Sequence, residues 1–384
     1  MKRVILAFII CYFIILAIYG LGHLISLEEK ELKEIPTPTQ LQTPIPTPTP
    51  TPVQTPSDIC IPCSNNYWRY DFVCALRCAL RPKEIDLISN FAEELKGADI
   101  EESTWNILNW EKKWIKYEFI EPTDIKVKRT DHSFRIVGSV PLYHTPSETC
   151  YNKRGNCGDY AILTAALLLK MGYKPYVLVV AFEDGEFHAA TAVEIKGEFF
   201  VLDQIPPIMD LPTYYNHWAY YADNRHIIDN ITVYEVRITE GEVNVTEMGT
   251  FDISMYLDRI ITQEDLQRIQ EDIVALIEKE YPIELDYNLK DYDEDWYLPW
   301  GYTEGRSWKI TLKNCADYYN PKAHKHYIKY IFDRLMNYEN WKDSKKYGMF
   351  LKDFSNSNRF WLKVEADKSD LIFTFNLARQ IYGY

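Results

Sequence analysis

Gly155-Asn156-Cys157-Gly158-Asp159-Tyr160-Ala161, continuing from Ile162 through Met171 to Gly172, is the stretch on which the fold turns. From Ala161 to Leu169 it is apolar nearly all round, which predicts a helix buried on every side at the centre of a domain. Gly172 is a natural terminator. Asn156 stands where an N-cap should stand, which puts Cys157 in the first turn. There the unpaired N–H groups and the positive helix end stabilise a thiolate and lower the pKa of the thiol. Gly155 and Gly158 leave room for a substrate backbone beside the sulfur. Asp159 reads as a complement to the helix dipole, not as a chemical group.

Downstream, Tyr176–Phe182 is a continuous β-branched and aromatic run, and Asp184-Gly185 turns the chain into the alternating run Phe187–Ile195. Lys196-Gly197 turns it again into Glu198–Asp203. A two-residue hairpin there sets Ile195 opposite Glu198 and Ala190 opposite Asp203. His188 then shares a sheet face with Asp203 as a diagonal neighbour, about 7–8 Å away at the backbone and within side-chain reach. A thiol, an imidazole and a carboxylate are the parts of nucleophilic acyl chemistry, provided this face meets the start of the Cys157 helix.

These residues, with Gly172-Tyr173-Lys174-Pro175, Phe187-His188-Ala189 and Phe200-Val201-Leu202-Asp203, resemble the transglutaminase-like superfamily. Its order is Cys, then His, then Asp, here with separations of 31 and 15 residues. The resemblance runs from Trp105 to about Pro207. With its N-terminal segment, the whole chain resembles an archaeal family of membrane-anchored transglutaminase-like proteins. The resemblance implies an α+β, papain-like fold, in which a central Cys-bearing helix packs on an antiparallel sheet. It implies Cys157 as nucleophile, His188 as general base and acid, and Asp203 as the orienter of the imidazole. The implied chemistry is attack on peptide or isopeptide amides through a thioester, resolved by water in hydrolysis or by an amine in cross-linking. No cofactor and no catalytic metal are expected. The N–H of Cys157 is one oxyanion donor. In transglutaminases proper an upstream Trp is the second, and Trp105, Trp110, Trp114 and Tyr143 are the candidates here. A surface binding or scaffold module without catalysis is the alternative from a different class.

At the N-terminus, Lys2 and Arg3 precede Val4–Ser26, a run without a charged residue. About 20 apolar residues cross a bilayer, and the run ends at Gly20–Ser26 with no cleavage-site pattern, so an uncleaved anchor is expected over a signal peptide. Basic residues before the span and acidic ones after it put residue 1 in the cytoplasm and the body outside. Residues 1–27 therefore read as a cytoplasmic stub and transmembrane anchor, and 28–57 as a Pro/Thr-rich linker. Extended in polyproline II at ~3.1 Å per residue, the linker reaches about 60 Å. Residues 58–240 read as a Cys-rich lead-in and catalytic domain, and 241–384 as a C-terminal α/β accessory region.

Of the eight cysteines, Cys11 falls in the anchor. Cys60, Cys63, Cys74 and Cys78 are spaced almost like a four-thiolate zinc site, but outside the cytoplasm such spacing more often means two disulfides. A Cys150–Cys315 pair would then leave Cys157 as the unpaired external thiol. Lys and Arg number 42 against 56 Asp and Glu, a net charge of −14. An acidic chain repels phosphate backbones, so nucleic acid is not expected as a partner; the tethered position at the cell surface points instead to a protein or peptide of the cell envelope.

The remaining periodicity predicts helices over Ile85–Lys96, Ser103–Lys116, Thr262–Glu280 and Lys322–Tyr338, with His324 and His326 on a helix surface. Ile231–Thr239, Phe360–Ala366 and Leu371–Asn376 read as strands. The aromatic run Thr213–Tyr221 either lines a cleft or forms a packed layer. Asp291, Asp293, Glu294 and Asp295 read as a solvated face, lacking the calcium-loop pattern.

Overall fold

A computed structural model describes residues 63–64, 66–118, 127–130, 133–136, 143–222, 225–251, 259–292, 298–337 and 344–381, all within one compact unit, Pro50–Tyr384. The expected anchor, Cys11, the Pro/Thr linker, Cys60 and three of the acidic residues (Asp293, Glu294 and Asp295) lie outside the described residues. Among those described, no helix is long and apolar enough to cross a bilayer.

The first half supplies helices α1 (Ile100–Trp114), α2 (Pro146–Asn152) and α3 (Cys157–Met171). The ends of α3 are set by its own residues. The Asn156 side chain accepts from the Asp159 N–H, and Asp159 returns a bond to the Asn156 N–H as a capping box. Gly172 closes the helix at φ 90°, in the left-handed region. Between them Ile162, Leu163, Ala165, Ala166, Leu167 and Leu168 are wholly buried. Each buried Ile or Leu contributes about 1.5–3 kcal/mol, which fixes this helix as the centre of the core.

An antiparallel sheet covers α3. Its strands are β1 (Pro175–Phe182), β2 (Phe187–Ile195), β3 (Glu198–Leu202), β4 (Met209–Asp210), β5 (Ile228–Thr239) and β6 (Glu242–Phe251), in the order β6-β5-β1-β2-β3-β4. Lys196 and Gly197 both adopt positive φ, the geometry of a tight hairpin. The register is the expected one: Ile195 pairs with Glu198, the ladder runs to Thr191–Leu202, and Asp203 follows at once. The Thr191 hydroxyl donates to the Ala161 carbonyl at 2.8 Å and ties β2 to α3. After β4 come α4 (Leu211–Asn216) and a single π turn, His217–Tyr221.

The second half adds α5 (Gln263–Glu280), whose N-cap Thr262 forms the expected capping box with Asp265, and α6 (His324–Met336). A second sheet is built from β7 (Glu284–Leu285), β8 (Tyr302–Leu312), β9 (Arg359–Asp367) and β10 (Asp370–Gln380), in the order β7-β9-β10-β8. This mixture of helices and antiparallel sheet fits the transglutaminase-like fold.

Three expectations are corrected. The run Ile85–Lys96 is two short helices, Pro82–Asp86 and Ser89–Leu95, because the break at Leu87 and Ile88 lets Ile85, Ile88 and Ala92 all reach the core. His324 and His326 are buried instead of lying on a helix surface. The ring nitrogens of His326 meet the Thr104 hydroxyl at 3.1 Å and the Ile208 N–H at 3.0 Å, fastening α6 to α1 and to the segment after Asp203. Burial drives its pKa down to about 3, so it serves as a neutral brace. Cys150 and Cys315 are not paired: both are free and buried. Cys150 sits near Glu111, and Cys315 near Tyr330. The N-terminal cluster uses disulfides and not zinc: Cys63 is bonded to Cys78, and Cys74 is also in a disulfide.

Candidate active site

Cys157, the first residue of α3, is partly exposed. His188 and the Ala189 N–H stand beside its thiol and both hold its pKa down. His188 Nε2 lies 2.8 Å from Asp203 Oδ1, which leaves Nδ1 as the ring nitrogen turned to the sulfur. The second Asp203 oxygen, Oδ2, accepts from the Tyr214 hydroxyl at 2.9 Å. The three residues picked out from the sequence thus come together, His188 bonded to Asp203 and standing beside the Cys157 thiol. His188 and Asp203 are only 9% and 7% exposed, so their charges are weakly screened by water.

Their pKa values move together. Burial would raise the Cys157 thiol, but the hydrogen bond and charge of His188 outweigh it and hold the thiol below its ordinary value. Burial would depress the His188 imidazole, and the Asp203 carboxylate with the Cys157 sulfur lifts it instead to about 10. Against its own burial, Asp203 is lowered by His188. The arrangement favours a thiolate beside an imidazolium.

The loop that presents Cys157 is braced from below. Asp159 accepts the His144 N–H at 2.7 Å and the His144 ring at 2.9 Å, in addition to capping α3. Asp159 is therefore a scaffold group, in line with its non-chemical reading. The space at Gly155 and Gly158 is not left for substrate. A Cβ at Gly155 would meet Asp159 at 2.6 Å, and one at Gly158 would meet the Tyr143 ring at 2.4 Å. These glycines let the brace and Tyr143 close on the loop.

Four neighbours complete the site, of which Tyr117 and Glu111 have no signal in the sequence. Tyr214, from the aromatic run, holds the back of Asp203, and the Trp218 ring lies 4.9 Å from the His188 ring, shielding it from water. The run lines the site and packs at the same time. Tyr117 is the group at the sulfur: its hydroxyl stands beside the Cys157 thiol and the Cys157 backbone. It arrives there through a short parallel bridge that pairs Tyr117 with Gly155, a contact without a local sequence signal. Of the aromatics considered earlier, Trp105 packs on His326, Trp110 on Phe91, and Trp114 lies under Lys153. Glu111 is buried beneath α3, accepts from the Thr164 hydroxyl at 2.6 Å, and is pushed up by burial to about 8, so it is protonated at neutral pH.

Comparison with known proteins places this geometry. Residues 86–234, which include Cys157, His188 and Asp203, match a family model described as a transglutaminase-like domain. A UPF0252 protein of Archaeoglobus fulgidus is 31% identical over 273 residues, covering 70% of this chain and 80% of that protein. A UPF0252 protein of Pyrococcus furiosus is 28% identical over 312 residues, covering 80% and 84%. Among solved structures, Legionella pneumophila LapG superposes with a TM-score of 0.25 and 14% identity over 37% of this chain and 68% of its own, too remote a likeness to add weight. Carrying the domain match and aligned with the greater part of the A. fulgidus protein, the chain belongs to the UPF0252 family of transglutaminase-like archaeal proteins.

Proposed function

We propose that the protein is a membrane-anchored, outward-facing thiol enzyme that hydrolyses peptide or isopeptide amides through Cys157, His188 and Asp203. The observation that carries this reading is the His188 ring bonded to Asp203 at 2.8 Å and set beside the Cys157 thiol, with the thiol lowered and the imidazole raised. The uncharged run Val4–Ser26 and the Pro/Thr tract behind it support the anchor and the outward orientation.

The Cys157 thiolate attacks the amide carbonyl carbon, and the carbonyl electrons move onto oxygen. Collapse of the tetrahedral species expels the amine, which takes a proton from the His188 imidazolium and leaves a thioester. His188, now neutral, removes a proton from water as it attacks the thioester; the acid departs and the thiolate–imidazolium pair returns. Asp203 keeps the imidazole oriented and offsets its positive charge in both halves. The Cys157 N–H is one donor to the oxyanion. We assign Tyr117 as the other. Its phenol stands beside the Cys157 backbone, and at 46% exposure the ring has room to turn so that its O–H donates to the oxyanion.

Two experiments test these roles. Alkylation of full-length protein by iodoacetamide, followed by mass spectrometry between about pH 5 and 9, should label Cys157 with a midpoint below the ordinary thiol value. In His188→Ala the midpoint should return towards about 8.5. A Cys157 that stays unlabelled, or titrates alike in both proteins, sinks the ion pair. For the oxyanion, Tyr117→Phe should lower kcat about 10²-fold with KM nearly unchanged. An unchanged kcat would remove Tyr117 from the mechanism.

A further inference from the structure

A cleft of about 670 Å³ begins where the catalytic chain ends. Asp203 and His217 form part of its wall, and it runs past the C-terminal end of β8 to Tyr330 and Arg334 of α6. Among the described residues its charged lining is Lys112, Lys313, Arg334 and Lys346, with one carboxylate, Asp203. That carboxylate is already engaged at both oxygens, by His188 and by the Tyr214 hydroxyl. Such a concentration of positive charge is the reverse of the chain as a whole, whose net charge is −14.

Arg334 is the sharpest departure. Its Nη1 donates to the Tyr330 hydroxyl at 2.9 Å, while its Nε is buried without a hydrogen-bond partner. Among the described residues no carboxylate pairs with it, although Lys313 at the rim is paired with Asp370. A partly buried guanidinium surrounded by phenols and a neutral thiol is costly unless something anionic completes it. Its planar fork matches a carboxylate, and such charge-assisted bonds are the strong ones. Ile205, Met209 and Leu312 supply apolar wall between Asp203 and Arg334, suited to a methylene stem.

We propose that this cleft is the subsite for a carboxylate-bearing segment of the peptide substrate, with the Arg334 guanidinium as its anchor. The proposal rests on the catalytic reading only in calling that peptide a substrate. The cleft and the catalytic residues share Asp203, and an acidic residue carried into the cleft meets an arginine that no described carboxylate pairs.

The test uses full-length protein with fluorescein-labelled hexaglutamate and hexaglutamine, read by anisotropy, and iodoacetamide labelling of Cys157 with and without peptide. Hexaglutamate should bind at least about ten-fold more tightly than hexaglutamine, and Arg334→Gln should weaken it about ten-fold, with Arg334→Lys falling between. Bound hexaglutamate should also slow the labelling of Cys157. Equal binding of the two peptides, no protection of Cys157, or undiminished hexaglutamate binding by Arg334→Gln would overturn the proposal. Should Arg334→Gln fail to fold, the comparison of the two peptides on unaltered protein still decides. Selective hexaglutamate binding beside a Cys157 that is inert at every pH would remove the catalytic reading and leave the anion site standing.

Discussion

Cys157→Ala is expected to abolish acyl transfer, a fall of roughly 10⁴-fold or more, without disturbing the fold. The sulfur is the one group in the site that can form the thioester. The other free thiols among the described residues cannot substitute, since burial pushes Cys150 up to about 12 and Cys315 up to about 11 and keeps both protonated. The variant should fold normally for equally local reasons. Alanine suits a first helical turn, and the capping box that starts α3 is made by Asn156 and Asp159, with no part for the Cys157 side chain. Its stability should therefore stay within about 1 kcal/mol of the parent. Initial rates on p-nitrophenyl acetate and on a fluorogenic peptide amide, beside a thermal melt, separate the two effects. Retained turnover in a folded Cys157→Ala protein would end the thiol mechanism.

That outcome bears on how much of the site was written in the local sequence. The helix, its caps and the Cys157 position follow from residues within about one or two turns of each other. The hairpin register follows from Lys196-Gly197 and strict alternation, and register is enough to bring His188 and Asp203 together. What was not legible depends on contacts between distant segments. Tyr117 reaches the sulfur from the end of α1 through a two-residue bridge. His326, 222 residues from Thr104, looks like surface by helical periodicity and becomes a buried brace only because α6 docks between α1 and the loop after Asp203. The pairing of Cys150 with Cys315 followed from parity counting, which has no access to distance. The cleft at Arg334 joins segments from both halves of the chain and has no motif at all. Local signals thus marked the reactive groups, while the groups that position and feed them came from tertiary packing.

Asp203→Asn should cost roughly 10³–10⁴-fold in kcat/KM, and its pH profile should show why. In the parent, the carboxylate is what overcomes burial and raises His188 to about 10. Without that charge, burial dominates, and the imidazole is neutral at neutral pH. The thiol then loses the imidazolium that had lowered it, and its own burial pushes it up. The active thiolate–imidazolium form exists only between the thiol pKa and the imidazole pKa. Its acid limb should therefore move up, its alkaline limb should move down from about 10, and the plateau should shrink or vanish. Stability carries the same sign. A histidine whose folded pKa is raised contributes stability fully below its unfolded value of about 6.5 and loses it as pH climbs. The parent should lose this contribution on the way to about pH 10, and Asp203→Asn should lose much less over that range. The amide still fills the space between His188 and Tyr214, so a merely structural role for Asp203 would leave both profiles nearly unchanged. A wild-type pH–rate curve in Asp203→Asn would confine Asp203 to packing and reduce the catalytic set to Cys157 and His188.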